Sequence, residues 1–326
     1  MEPTVDPSAA LAVAPAVPPA AAPAGVPATS AFDRLQARRL LLWLVAATLI
    51  VAVAVVGTAR VAAGPGDSVA IDERLVSMLT TLAGALVVVA LARHARLDWR
   101  RVFGSWPTSD QLPLVLVIVP VALLTFGMTL AVYIPLSYVA PGLVRRLILE
   151  PRSLFEVTTV AQWALLMLVG AVAAPMGEEV LFRGLLMQRW ARRWGTMTGV
   201  VASSALFALL HEEWVGHFAF GVALCALYLR TRRLWVPMLA HALNNAIFLA
   251  PQLGHALHHT REPVQTLADF RGDAPWIAPL LAAAALTGWL YLRWWWTPGQ
   301  LSQVLRGPTP YEHHAAAMKG EPDPRS

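Results

Sequence analysis

Long apolar runs alternate with short charged stretches along this chain, and the runs have the length of membrane-crossing helices. Between Arg39 and Arg60 the stretch 40–59 carries no charge at all. Seven further runs follow at 75–92, 112–133, 159–194, 197–211, 216–229, 235–250 and 276–292. About 20 apolar residues in α-helix cross the hydrocarbon core, and a helix satisfies its own backbone polar groups there. The pattern therefore predicts an all-α polytopic membrane protein with about eight transmembrane helices. The third run is expected to bend at Pro120. The fourth would be about 54 Å long at 1.5 Å per residue, too long for one straight crossing, so a break or kink is expected at Pro175 and Gly177.

Composition agrees. Of 326 residues, 57% are hydrophobic and 14% charged, and the mean hydropathy is +0.55. A water-soluble globule of this size could not hide that much apolar surface. Residues 1–30 are rich in Pro and Ala and poor in large apolar side chains, which predicts a disordered tail. The sequence thus divides into this tail, a helical membrane domain over 31–297 and a polar C-terminal tail over 298–326. The net charge of +5 does not imply nucleic acid, because the arginines flank apolar runs instead of forming a basic domain. Arg34, Arg38 and Arg39 precede the first run. Arg93, Arg96, Arg100 and Arg101 follow the second, Arg189, Arg192 and Arg193 the fourth, and Arg230, Arg232 and Arg233 the sixth. Simple alternation puts all four clusters on one side, predicting cytoplasmic N- and C-termini. Arg145 and Arg146 are the exception. Trp294, Trp295 and Trp296 form an aromatic anchor at the interface. The single Cys225 allows no disulfide, and its place in an apolar run is that of a buried packing residue.

Ionisable groups within spans are costly and mark function. Here they are concentrated: Glu178, Glu179 and Arg183 in the fourth run, His211 at the end of the fifth, His241 in the seventh with Asn245 one turn on. Glu179 and Arg183 are four apart in the favourable order and can neutralise each other. Glu178 points about 100° away and is left as the free carboxylate, suited to act as a general base. The alternative is that both glutamates cap the helix and balance Arg183. Each leg of the hairpin from Glu178 down to Arg192 and back up to His211 has about fourteen residues, which sets Glu178 and His211 at similar depth. His241 and Asn245 share a helix face and can donate to an oxyanion, or else bond to a neighbouring helix. A zinc-protease HExxH is missing, since Val215 stands where its second histidine belongs and His217 comes two residues late. His255, His258, His259, His313 and His314 fall in loop or tail.

Together, Glu178-Glu179-xxx-Arg183, Phe207-xxx-His211 and His241-xxx-Asn245 resemble the three motifs of the CPBP family, the CAAX-prenyl-protease and bacteriocin-processing intramembrane proteases also called Abi. Ala174-Pro175 before the glutamates, Phe182-Arg183-Gly184-Leu185 after them and Ser203-Ser204 before Phe207 resemble it too. The similarity covers 158–250. It implies an eight-helix membrane fold and peptide hydrolysis without an acyl-enzyme. Glu178 is then similar to the base that activates water, with His211 assisting, His241 and Asn245 holding the oxyanion, and Glu179 with Arg183 in support. No cofactor is expected; were zinc bound, Glu178, His211 and His241 would hold it. The substrate is a peptide or protein in or at the membrane: a prenylated CAAX end, a leader peptide or a membrane-anchored regulator. Ala-rich, Arg-over-Lys composition points to a bacterial inner membrane. The competing readings are a binding or immunity protein that keeps the scaffold without cutting, and an ion-coupled transporter using the buried Glu and His.

Overall fold

A computed structural model of the chain describes residues 34, 36–62, 73–149, 157–211, 213–258 and 265–317. The expected tail over 1–30 and His259 lie outside them. Among the described residues there is no strand, and eight helices occupy the expected runs. They are α1 (Ala37–Ala62), α2 (Glu73–His94), α3 (Leu112–Val139), α4 (Val160–Trp194), α5 (Thr196–Leu209), α6 (Trp214–Thr231), α7 (Trp235–Leu249) and α8 (Ile277–Trp295). The protein is an all-α integral membrane protein. Of the eight, α1, α3, α4, α6 and α8 are long and apolar enough to cross a membrane. Apolar side chains such as Leu42, Trp43, Val53 and Val61 on α1 are exposed, as expected of a helix hydrophobic all round with lipid as its solvent. At 14 and 15 residues, α5 and α7 fall short of a full crossing.

Two expected irregularities coincide with changes of helix type. α3 opens with a 3₁₀ stretch, Leu112–Val117, and Pro120 then falls in the first turn of its α-helical part, where a missing N–H costs little. α4 stays continuous through Pro175 and Gly177. It runs on through two wider π-type stretches, Leu168–Ala173 and Val180–Met187, on either side of the proline. Widening the turn makes room for the proline ring without ending the helix.

Glycines and small residues set the closest helix approaches. Gly195, at φ +90°, reverses the chain between α4 and α5, a conformation costly for any residue with a Cβ. One turn later a Cβ on Gly199 would lie 2.6 Å from both Ala191 N and Met187 O of α4. Where α6 crosses α5, a Cβ on Gly221 would lie 2.9 Å from Ser204 Cβ, a small-on-small contact of the kind that lets membrane helices pack closely. Phe182, Leu185, Leu186, Met187, Phe207, Leu224, Leu227, Tyr228 and Leu234 fill the core between these helices.

Residues 298–317 are not a polar tail. They form the helices Gln300–Arg306 and Pro310–Ala317, and Val304, Thr309 and Tyr311 are buried. Tyr311 donates its N–H to Gln188 Oε1 (2.9 Å). Gln188 in turn donates to Tyr228 Oη (3.0 Å), which donates to the Val102 carbonyl. Three of the arginine clusters meet this segment: Arg101 lies over the Tyr311 ring, Arg192 pairs with Glu312 (3.4 Å), Arg230 covers Trp296, and Arg232 contacts His313.

Glu213 starts α6. Its carboxylate accepts from the N–H groups of Val215 (3.0 Å), Gly216 (2.8 Å) and His217 (3.2 Å), so one side chain satisfies the orphan donors of the first turn. Burial alone would raise its pKa. Hydrogen bonding from the His217 side chain and the Gly216 and His217 N–H groups outweighs burial and holds the carboxyl below its ordinary value.

Two outcomes follow. Gly199→Ala forces α5 off α4 and is expected to lower the thermal unfolding midpoint in detergent, at a cost of about 1–3 kcal/mol. Gly57→Ala, with open space around it, leaves the midpoint unchanged or slightly raised. Glu213→Ala costs about 1 kcal/mol at pH 7. Because the folded pKa is depressed, the wild-type advantage is complete above the unfolded value near 4.3 and fades as pH falls through the folded one. Unfolding midpoints at pH 7, 5 and 4 check both size and sign.

Candidate active site

Four helices bring the candidate residues together. Glu178, Glu179 and Arg183 come from α4, Phe207 and, just past the helix end, His211 from α5, His217 from the first turn of α6, and His241 and Asn245 from α7. Glu179 lies at the centre with no exposed surface, and Arg183 is equally buried. The pairing expected from their spacing is present: Arg183 Nη1 lies 2.7 Å from Glu179 Oε1. That same oxygen receives His241 Nδ1 at 2.8 Å. Two buried charges out of water depend on each other and on added hydrogen bonds. A second Arg183 nitrogen bonds the Gly221 carbonyl (3.3 Å), tying α6 to the pair.

Glu178 is placed differently. A third of its side chain is exposed, and its nearest polar partner is His241 Nε2, 3.8 Å from Oε2. So one carboxylate of the doublet is spent on structure and its neighbour faces outward from it.

The aromatic ring of Phe207 is the platform under the histidines. Fully buried, it holds the Arg183 guanidinium over it at 4.5 Å, a cation–π contact in desolvated surroundings. Its centroid lies 4.4 Å from His211 and 5.9 Å from the edge-on ring of His241. Phe182 and Phe220 wedge it from the sides.

Each of the three histidines is fixed through Nδ1. His211 Nδ1 lies 2.7 Å from the Phe207 carbonyl, His217 Nδ1 2.5 Å from the Glu213 carbonyl, and His241 Nδ1 reaches Glu179. A carbonyl or carboxylate oxygen can only accept, so Nδ1 carries the proton in each ring. In its neutral form such a ring presents Nε2 as a lone pair. His211 and His217 stack, with centroids 4.3 Å apart and planes within 20°.

His217 is the site residue that the sequence reading passed over. The start of α6 lies back against the end of α5, so residues 211 and 217 face each other. Glu213 four residues before His217, in the N-cap position, is the signal that locates it. Asn245 is brought to the site's helix but not to the site's opening. Its Nδ2 donates to the Gly170 carbonyl of α4 (2.9 Å) and its Oδ1 accepts from Asn244 (3.3 Å). The bond to Gly170 is the interhelical alternative. Among the described residues, no three His, Cys, Asp or Glu side chains are grouped as ligands for a metal ion. Glu178, His211 and His241 line one site without forming a ligand set. Of the remaining histidines, His255 and His258 lie in the short helix Gln252–His258, away from these residues in the chain.

Residues 160–247 match the family described as type II CAAX prenyl endopeptidase, Rce1-like. The match runs from the start of α4 almost to the end of α7 and contains every residue of the site. A protein of Bacillus subtilis (strain 168) named "Putative membrane peptidase YdiL" is 28% identical over 92 residues, which are 27% of this chain and 38% of that protein. No solved structure matches the chain. With three motifs in order, converging on one buried site, the stretch 160–247 is similar to the type II CAAX prenyl endopeptidases, and the chain spans well under half the length of the curated relative it matches.

Proposed function

We propose that the protein is an intramembrane endopeptidase that hydrolyses a peptide bond of a membrane-associated substrate with water activated by Glu178 and His211. The observation that carries this reading is the division of labour between adjacent carboxylates. Glu179 is committed to Arg183 and His241, whereas Glu178 keeps a partly exposed carboxylate with His241 Nε2 at 3.8 Å. A gap of that size between two polar groups suits a bridging water.

In this reading Glu178 removes a proton from the water, and the His211 Nε2 lone pair orients it. The hydroxide attacks the scissile carbonyl. His241 Nδ1–H is committed to Glu179, so the ring donates to the developing oxyanion only from a protonated Nε2. The proton taken by Glu178 supplies it across the short gap, and later passes to the leaving amine. Arg183 and Phe207 hold the carboxylate and the rings in place, which limits the reorganisation needed at the moment of reaction. The substrate is proposed to be a peptide presented at the membrane, as a lipidated C-terminus, a leader peptide or an anchored regulator. The proposed setting is a bacterial plasma membrane with both termini cytoplasmic, on the side where the arginine clusters meet.

The test is cleavage of a quenched-fluorescent peptide library by the full chain in detergent and in lipid. Glu178→Gln keeps the shape and removes the base. It is expected to lower kcat by about 10²–10⁴ with the unfolding midpoint unchanged. Undiminished cleavage by Glu178→Gln overturns the mechanism. Activity lost to a chelator and restored by zinc instead assigns Glu178, His211 and His241 to a metal. If wild type cleaves nothing while its biological activity persists in Glu178→Ala, the scaffold binds without cutting.

A further inference from the structure

The carbonyl of Gly170 has no backbone donor available to it within α4. Over Leu168–Ala173 the helix is π-type, and the Ala174 N–H bonds Val169 O, five residues back. In the ordinary α register the Gly170 carbonyl would have received Ala174, which is already used. In the π register it would receive residue 175, which is Pro and has no N–H. An unsatisfied carbonyl inside a membrane span is expensive. The vacancy is filled from the neighbouring helix, since Asn245 Nδ2 lies 2.9 Å from Gly170 O. The two helices are close here because residue 170 has no side chain. A Cβ on it would lie 2.8 Å from Leu249 Cδ1. Trp163 Nε1, bonded to the Leu249 carbonyl (3.2 Å), marks a second tie between the same helices.

We propose that Asn245 is a positioning residue: its amide replaces the hydrogen bond that Pro175 removes from α4, and so locks α7 against the turn that presents Glu178. The proposal rests on the endopeptidase reading of the site and deepens it. Asn245 stands one turn beyond His241 on α7, and Pro175 stands three residues before Glu178 on α4. The Asn245–Gly170 bond therefore spans the two helices whose relative height sets the separation of His241 Nε2 and Glu178 Oε2. This role differs from direct donation to the substrate, because the acceptor of this N–H is a protein carbonyl.

The proline gives a rescue experiment. In Pro175→Ala the backbone regains an N–H that can reach the Gly170 carbonyl, so Asn245 loses its task. Asn245→Ala alone is expected to lower kcat for peptide cleavage about 100-fold, the effect of a small misplacement at a reacting centre, with KM little changed. Adding Asn245→Ala to Pro175→Ala is expected to lower kcat by less than about threefold relative to Pro175→Ala alone. An equal loss in both backgrounds overturns the proposal and returns the amide to the substrate. So does a fully active Asn245→Ala. Asn245→Asp, which keeps the volume and loses the donor, stands in where the alanine variant does not fold. The cycle is also read by unfolding midpoints of the same four full-length proteins. Stabilities that couple support the tie and stabilities that add overturn it, even for a chain that cleaves no peptide. Failure of the protease reading is thereby distinguished from failure of this one.

Discussion

A carboxylate with no contact to water is the constraint around which this protein is built. Glu179 has no exposed surface, and a buried charge of that kind depends on an opposite charge and hydrogen bonds beside it, which here converge on Oε1. Arg183 brings the charge from the next turn of α4, and His241 brings a donor from α7. Arg183 then needs partners of its own, which are the Gly221 carbonyl of α6 and the face of Phe207 from α5. Satisfying one group thus draws four helices to a point. The residues that look most like machinery for chemistry are in good part what holds those helices together.

The same arrangement explains why the doublet of glutamates divides as it does. On a helix, adjacent residues face about 100° apart, so the two cannot share one environment. One is taken inward by Arg183 and His241, and the other is left on the side where α5 and α6 meet end to end. Nδ1 anchoring of His211, His217 and His241 by protein acceptors turns all three rings the same way electronically. Each Nε2 is thereby left free of its anchoring contact.

What the sequence made legible were features set by one element at a time. Apolar run lengths located the helices, and a spacing of four paired Glu179 with Arg183 and put His241 and Asn245 on one face. Features set by two elements were not legible. His217 is six residues from His211, a separation with no meaning inside a helix, and it matters only because the chain reverses between them. The partner of Asn245 depends on a carbonyl that Pro175 leaves open in another helix. Residues 298–317 read as a tail because their few apolar residues form no run long enough to cross a membrane, and the burial of Val304 and Tyr311 depends on a surface that the other helices create.

That last segment has a bearing on how the molecule is made. The bond from Tyr311 to Gln188 joins residues 123 positions apart, and Gln188 lies ten residues beyond Glu178 on α4. While the chain is still being synthesised, α4 must wait in the bilayer through the insertion of four further helices before its Gln188 finds that partner. The final setting of the helix that bears both glutamates therefore comes after translation has passed Tyr311, and a nascent chain halted earlier holds a site whose supporting helix is not yet finished.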